Sequence, residues 1–417
     1  MCNKLSCTNR KIITLLIIAV VGSAFAVENT SALPENPTGI LYTNVVVPEI
    51  PWSIQVVKIG RGNGLYEIQS RHAGAGALGL DTLSDQVVAA GTKQSEPVAA
   101  INGGFYLRDN GQPNAYAGLP RGLQIVNGEV LSAPSGTASL WIDYAGQPHA
   151  ANVISQFEII WPDGRETPFG LNGQRAADGI ELYTPAAGTS THTSRGLELI
   201  LESQAGGSWL PLRMERDYAA RLREIRLAGN TPLSPDTMVL SIGPAVMTQF
   251  QGVTTGAVLR ISTKSLPDLL NAKTAISGGP LLVRNGKRQK IQAAPDAAYE
   301  FSSMLERHPR TAFGWNDQSF FLVEVDGRQK DLSLGMTLDE LSAFLVKLGC
   351  TQAMNLDGGG SSSLWFEGRV RNSPCDGYER NIANSLLVLR KKPNAGGNNL
   401  ISTNAEALLE RSKPNGN

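Results

Sequence analysis

The chain has 417 residues and equal numbers of basic and acidic side chains, 37 of each, so its formal charge is zero at pH 7. A balanced chain has no general pull toward nucleic acid or anionic membranes, and no basic run with interleaved aromatics argues otherwise. Hydrophobic residues at 41% and 44 glycines describe a globular, turn-rich protein, long enough for about two or three ordinary domains or one large body with an insertion.

Lys4, Arg10 and Lys11 precede an apolar run at 12–21, and Ala24, Phe25 and Ala26 follow it. That order is a secretory signal cleaved after Ala26. The apolar core is too short for a membrane span, which takes about 20 residues. A secreted or periplasmic address, with no span left after cleavage, is the expectation. Residues 27–38 read as a polar linker, 39–390 as the folded domain, and 391–417 as a disordered tail with at most a helical turn at 406–411.

Strand patterns occupy 40–47, 52–59 and 66–69, and 83–90 reads as a helix capped by Thr82 or Ser84. In AINGGFY, 100–106, a buried strand runs into Asn102, Gly103 and Gly104, where a site could place ligand contacts. Asn-Gly is also the strongest hairpin signal, and taken alone the plain turn is the simpler reading. A hairpin turns on Asn127 and Gly128, and strands at 139–142 and 154–161 follow. Over 172–240 the texture changes; five arginines from Arg213 to Arg226, interleaved with acids, read as a solvated face.

Strand character returns at 239–243 and 258–262. ISGGPLLVRNG, 276–286, repeats the paired-glycine device and opens a strand with Pro280. RTAFG, 310–314, stands just before a strand at 320–325, and its Arg310 has two readings: a guanidinium clamp for an oxyanion, or a surface arginine paired with Asp317. Thr337 and Glu340 form a capping box opening a helix to about Leu348. A strand at 353–356 then delivers Asp357 into NLDGGGSSSL, 355–364.

Three successive glycines favour neither helix nor strand. One reading is a turn whose successive N–H groups make a nest for an anion such as phosphate, with Asp357 beside it as acceptor or base. The other is a tight turn capped by Asp357. The spacing is not that of a nucleotide P-loop. Cys350 and Cys375, left after Cys2 and Cys7 depart with the signal, bracket the turn. Oxidised, they would close it with a disulfide worth roughly 3 kcal/mol; the alternative is two free thiols.

AINGGFY, ISGGPLLVRNG, RTAFG, the helix before Cys350, NLDGGGSSSL and Arg380 together resemble the phosphodiester glycosidase family, over roughly 98–389. The stretch 175–193 resembles a segment of its bacterial members. The elements add up to an α+β fold: a mixed, mostly antiparallel sheet core, few helices, and an inserted β-rich subdomain at about 145–240.

The resemblance implies hydrolysis of a sugar 1-phosphodiester at the C1–O bond, on envelope or extracellular glycans. Asp357 would be nucleophile or base on water, Arg310 and Arg380 would stabilise phosphate charge, and Asn102 would orient a hydroxyl or phosphate oxygen. Gly103, Gly104, Ser277, Gly278, Gly279, Thr311, Asn355, Gly358, Gly359, Gly360 and Ser361 complete the implied substrate contacts. A second carboxylate is not fixed among Asp109, Glu300 and Asp317.

Four histidines, His72, His149, His192 and His308, show no HxH or HxxxH spacing, which argues against a two-metal phosphoesterase. No cofactor is expected, although an oxygen-ligated Ca2+ on loop carboxylates is compatible. GGGSS is not the GxSxG elbow, which argues against Ser361 or Ser362 as nucleophile. The expected partner is a carbohydrate or phosphosugar. The competing reading is a non-catalytic glycan-binding or polysaccharide-assembly protein on the same fold, and convergence of Asp357, Arg310 and Asn102 on one cleft would separate the two.

Overall fold

The computed structural model describes residues 39–62, 64–74, 76–108, 115–291 and 304–392. The segments read from sequence as signal and linker, all of the expected tail but residues 391 and 392, and Asp109 and Glu300 lie outside them. Among the described residues regular structure is almost wholly antiparallel β, with two α-helices, α1 (Leu83–Ala90) and α2 (Leu338–Lys347). The mostly antiparallel, helix-poor class read from the sequence is the observed one.

Seven strands form the sheet that carries the site, in the order Ile40–Val47, Trp52–Gly60, Ser319–Val325, Arg310–Trp315, Gln352–Asn355, Leu281–Arg284, Lys287–Arg288. Ser319–Val325 is buried at every position, as a strand covered on both faces must be. A five-stranded sheet, Arg369–Val370, Leu364–Phe366, Ser95–Asn102, Asn384–Lys391, Tyr66–His72, packs against it. Val57, Phe313 and Leu322 from the first meet Ile101, Leu364 and Val388 from the second in one apolar cluster. Helix α2, opened by the reciprocal Thr337–Glu340 capping box, packs on Leu281–Arg284 and Gln352–Asn355.

A second five-stranded sheet carries the hairpin at Asn127 and Gly128, both with positive φ (49° and 81°) as a two-residue hairpin turn demands. An eight-stranded sheet runs from Ile154–Ile160 to Val258–Leu266, so the β-rich region extends past 240, and Pro148–Asn152 belongs to another sheet. Its core joins Phe157, Leu199, Leu222 and Ile261. The arginine-rich stretch is itself a strand, Asp217–Arg226, with Ala220 and Leu222 buried and Arg221 and Arg223 exposed. In the segment at 175–193, Thr191 and Thr193 both donate to Glu198 Oε1 (2.9 and 2.6 Å), and Thr231 N–H donates to Oε2 at 3.1 Å. Thr191 and Thr193 therefore serve to satisfy one buried carboxylate.

Two expectations are corrected. RTAFG does not merely stand at the mouth of a strand; Arg310–Trp315 is itself one, pairing on both sides, and the expected strand follows it at Ser319–Val325. Cys350 and Cys375 are free thiols. Cys350 packs against Gly314 near one end of that strand, while Cys375 neighbours Arg328, which bonds His308 beyond the other end. Four residues of strand separate Arg310 from Gly314, about 13 Å at 3.3 Å per residue, whereas a disulfide needs Cα atoms within about 7 Å.

Behind the site, Glu324 is fully buried between Thr311 and Gln55, and neither carboxyl oxygen has a hydrogen-bond partner. Burial, then Asp326 and Cys375, push its pKa well up. A raised folded-state pKa means the group costs nothing below the unfolded value, about 4.3, and its contribution is lost as pH rises through the folded value. Glu324→Gln is therefore expected to melt higher than the parent at pH 8 and no higher at about pH 4, below the unfolded value, read by thermal melts at both. A variant that gains nothing at pH 8 would contradict this.

Candidate active site

Arg310 opens its strand, and Ala312 sits opposite Asn355 at the end of the antiparallel neighbour, so Arg310 and the Asp357 turn leave the sheet at the same edge. Ser95–Asn102 ends at that edge too. Asp357 N–H donates to Gly103 O at 2.9 Å, and Asn102 Nδ2 donates to Asp357 O at 2.7 Å.

These ends enclose a cleft of about 290 Å³ lined by Asp357, Gly358 to Ser361, Asn355, Gly279, Phe105 and Leu338, with Arg108, Arg310, Arg328, Arg380 and His308. Asp357 is the one carboxylate among these lining residues and the guanidinium groups number four. Asp357 is half-exposed at the cleft floor, yet protein encloses its carboxyl. Burial raises its pKa, opposed by hydrogen bonds from Ser361 and Gly358 N–H and by Arg380 and Arg108. Ser361 also bonds Tyr106, whose hydroxyl donates to Asn381 O at 3.0 Å and whose pKa is raised by burial and by Asp357. The carboxylate is thus backed by a serine and a buried tyrosine.

Arg310 is buried and donates from Nε to Met336 O and from an Nη to Glu306 O, both at 2.8 Å. Burial and Arg328 lower its pKa to about 10, still cationic at neutral pH. Arg328 donates to His308 Nδ1 at 3.3 Å, so the ring proton sits on Nε2, 3.3 Å from Glu306 Oε2. Burial, Arg310 and Arg328 together lower the His308 pKa, keeping the ring neutral.

The glycine triplet has separate causes. Gly359 adopts φ +62°, with Arg328 over it, and at Gly360 a Cβ would run into the Arg380 guanidinium and Asp376. Arg380 donates to Asp376 Oδ2 at 2.7 Å. The turn is not the open nest expected from sequence: Gly358 N–H goes to Asp357 Oδ1, Gly359 N–H to Pro309 O and Ser361 N–H to Gly358 O. Guanidinium groups supply most of the positive potential instead.

Other readings change as well. Asn102 does not line the cleft: its Oδ1 accepts from Thr311 Oγ1 (2.6 Å) and Ser363 N–H (3.0 Å), and its Nδ2 donates to Asp357 O (2.7 Å) and Gly103 O (3.4 Å), which leaves no capacity for substrate. Thr311 is likewise consumed. Gly103 and Gly104 are small because Asn384 and Ser277 O press on them, and Gly278 because of Asn355 O. Ser277 shares a hydrogen bond with Ser139 at 3.0 Å. Asn355 faces the cleft with Nδ2 bonded to Gly279 O and Leu356 O and with its buried Oδ1 unpartnered. Asp317 lies past the far end of the Arg310 strand and pairs with neither Arg310 nor the site. Among the described residues no group of three or more His, Cys, Asp or Glu is placed to hold a metal. Sequence reading missed Arg108, Arg328 and His308 as cleft residues and Tyr106 as the buried group behind Asp357; the only signal was that Arg108 and Tyr106 adjoin NGGF.

Fold and site define a β-rich protein that brings one buried carboxylate against a cationic pocket. Residues 234–389 match the family model described as phosphodiester glycosidase. That part of the chain is thus similar to the phosphodiester glycosidases, a family of hydrolases. The chain is 31% identical over 118 residues to the SPbeta prophage-derived uncharacterized protein YomE of Bacillus subtilis, covering 28% of this chain and 17% of that protein. It is 31% identical over 115 residues to the Bos taurus N-acetylglucosamine-1-phosphodiester alpha-N-acetylglucosaminidase, covering 26% and 21%. The matches therefore span about a fifth of those relatives. Among solved structures, a hypothetical protein from Synechocystis aligns at TM-score 0.68 and 20% identity, covering 85% of this chain and 62% of that one. A putative exported protein from Burkholderia pseudomallei aligns at 0.62 and 22%, covering 81% and 74%. These two establish likeness of fold.

Proposed function

We propose that this protein is an exported glycosidase that hydrolyses sugar 1-phosphodiesters at the C1–O bond on envelope or extracellular glycans. The carrying observation is the single carboxylate Asp357 at the floor of a cleft otherwise edged by Arg108, Arg310, Arg328 and Arg380. A phosphomonoester leaving group departs as an anion with a second pKa near 6, so stabilising its charge matters more than protonating it. Arg328 and Arg380, seated over Gly359 and Gly360, are placed for that. Asp357 then acts on the sugar side, as nucleophile or as base on water. Export rests on the sequence pattern at 1–26.

The test is incubation with a sugar 1-phosphodiester in 18O-labelled water. Label in the released sugar, with unlabelled phosphomonoester, is the expected result; label on phosphorus would mean P–O cleavage and end this reading. Gly360→Ala tests the phosphate assignment. Its Cβ displaces Arg380, a flexible side chain, so kcat/KM is expected to fall about tenfold, the worth of one charge-assisted hydrogen bond, with the melting temperature near the parent's. An unchanged kcat/KM would free Arg380 from the phosphate assignment.

A further inference from the structure

At the opposite end of the strands that form the cleft lies a second set of concavities. Arg310 is in the cleft and Trp315 in one of these, and Asn355 and Gln352 divide in the same way. Five residues of strand separate Arg310 from Trp315, about 17 Å. Three concavities, of about 330, 540 and 900 Å³, adjoin through shared residues, Tyr144 linking the first two and Asp317 the first and third. Each is on the scale of a small-molecule site; joined, they make a trough rather than a pocket.

Its lining is distinctive. The hairpin Ala138–Asp143 with Pro148–Asn152 presents two aromatic rings that are already held in place. His149 stacks on Trp141 with centroids 5.2 Å apart and planes at 15°, and its Nε2 lies 3.2 Å from Asp143 Oδ2. Tyr144, at the hairpin turn, is 56% exposed, yet its hydroxyl accepts from Arg213 at 3.0 Å. Around them stand the exposed hydrogen-bonding side chains of Arg284, Asp317 and Asn285, the last with its Oδ1 accepting from Gln352 Nε2.

Sugars are recognised by that combination. A pyranose has a C–H face that packs on an aromatic ring and a rim of hydroxyls that take amides, carboxylates and guanidinium groups. Rings fixed beforehand lose little freedom on binding. We propose that the trough binds a glycan chain, giving the protein a second carbohydrate site remote from Asp357. That the chain held there is the polymer cut in the cleft rests on the function proposed above; glycan binding itself does not.

The experiment uses the Asp357→Asn protein, so that no substrate is consumed, and titrates it with three probes by calorimetry: a phosphodiester-linked phosphomannan, dextran and chitohexaose. Binding of at least one is expected, with Tyr144→Ala and His149→Ala each weakening it about tenfold. The same two changes in the otherwise unaltered protein should leave turnover of a small sugar 1-phosphodiester as it was. Both side chains are exposed, and thermal melts confirm that the fold survives. Binding of none of the probes, or binding that is lost in Arg380→Ala and untouched in both trough variants, overturns the proposal. Undiminished turnover by Asp357→Asn would instead strike the cleft reading and leave the binding result standing.

Discussion

Asp357→Asn is expected to lower kcat on a sugar 1-phosphodiester at least about a thousandfold while leaving the melting temperature equal or slightly higher. The amide keeps the shape of the side chain, and the backbone anchors, Gly103 O and Asn102 Nδ2, do not involve the carboxyl. What disappears is the charge. Burial already disfavours that charge, as the raised pKa of Asp357 states, so removing it does not weaken the fold. The same raised pKa has a signature in the parent enzyme. If the ionised form does the chemistry, kcat/KM falls as pH drops through a value above the usual aspartate pKa of about 3.9. Full activity in the variant would remove Asp357 from the mechanism.

The sequence was informative where one short stretch decides its own conformation. The capping box at Thr337 and Glu340, the positive-φ turn at Asn127 and Gly128, and the strand delivering Asp357 each depend on neighbours a few residues away, and each is found in place. The sequence marked the glycine triplet as a turn without showing its cause, which is guanidinium groups from Arg328 and Arg380 lying over Gly359 and Gly360. Those arginines come from other parts of the chain, and nothing in the triplet names them.

Long-range placement set the limits elsewhere. Arg310 was placed outside a strand because Arg and Gly at its ends look like loop, whereas pairing with two neighbours makes it sheet. The two cysteines were read as a pair because they bracket one turn in sequence, although the fold sends them toward opposite ends of a strand. Arg328, with φ +60°, reaches the cleft from a turn with no motif of its own.

Asn102→Ala is expected to fail differently from Asp357→Asn, losing stability and turnover together. Sequence spacing cannot tell an amide that holds substrate from one that holds the protein, and here Asn102 joins three chain segments. Removing it orphans the Thr311 hydroxyl, the Ser363 N–H and the Asp357 carbonyl. Buried polar groups left without partners cost about 1–3 kcal/mol each, so a loss of roughly 3 kcal/mol or more follows, read by denaturant unfolding. Asn102→Asp sharpens the case. The acid still accepts from Thr311 and Ser363 but turns an oxygen toward the Asp357 carbonyl, which received a donated hydrogen bond before. Activity should therefore fall further than stability in that variant, because the repulsion acts on the peptide that carries Asp357. Loss of turnover in Asn102→Ala with parental stability would show instead that the amide touches substrate, and the assignment of Asn102 as a positioning residue would have to be withdrawn.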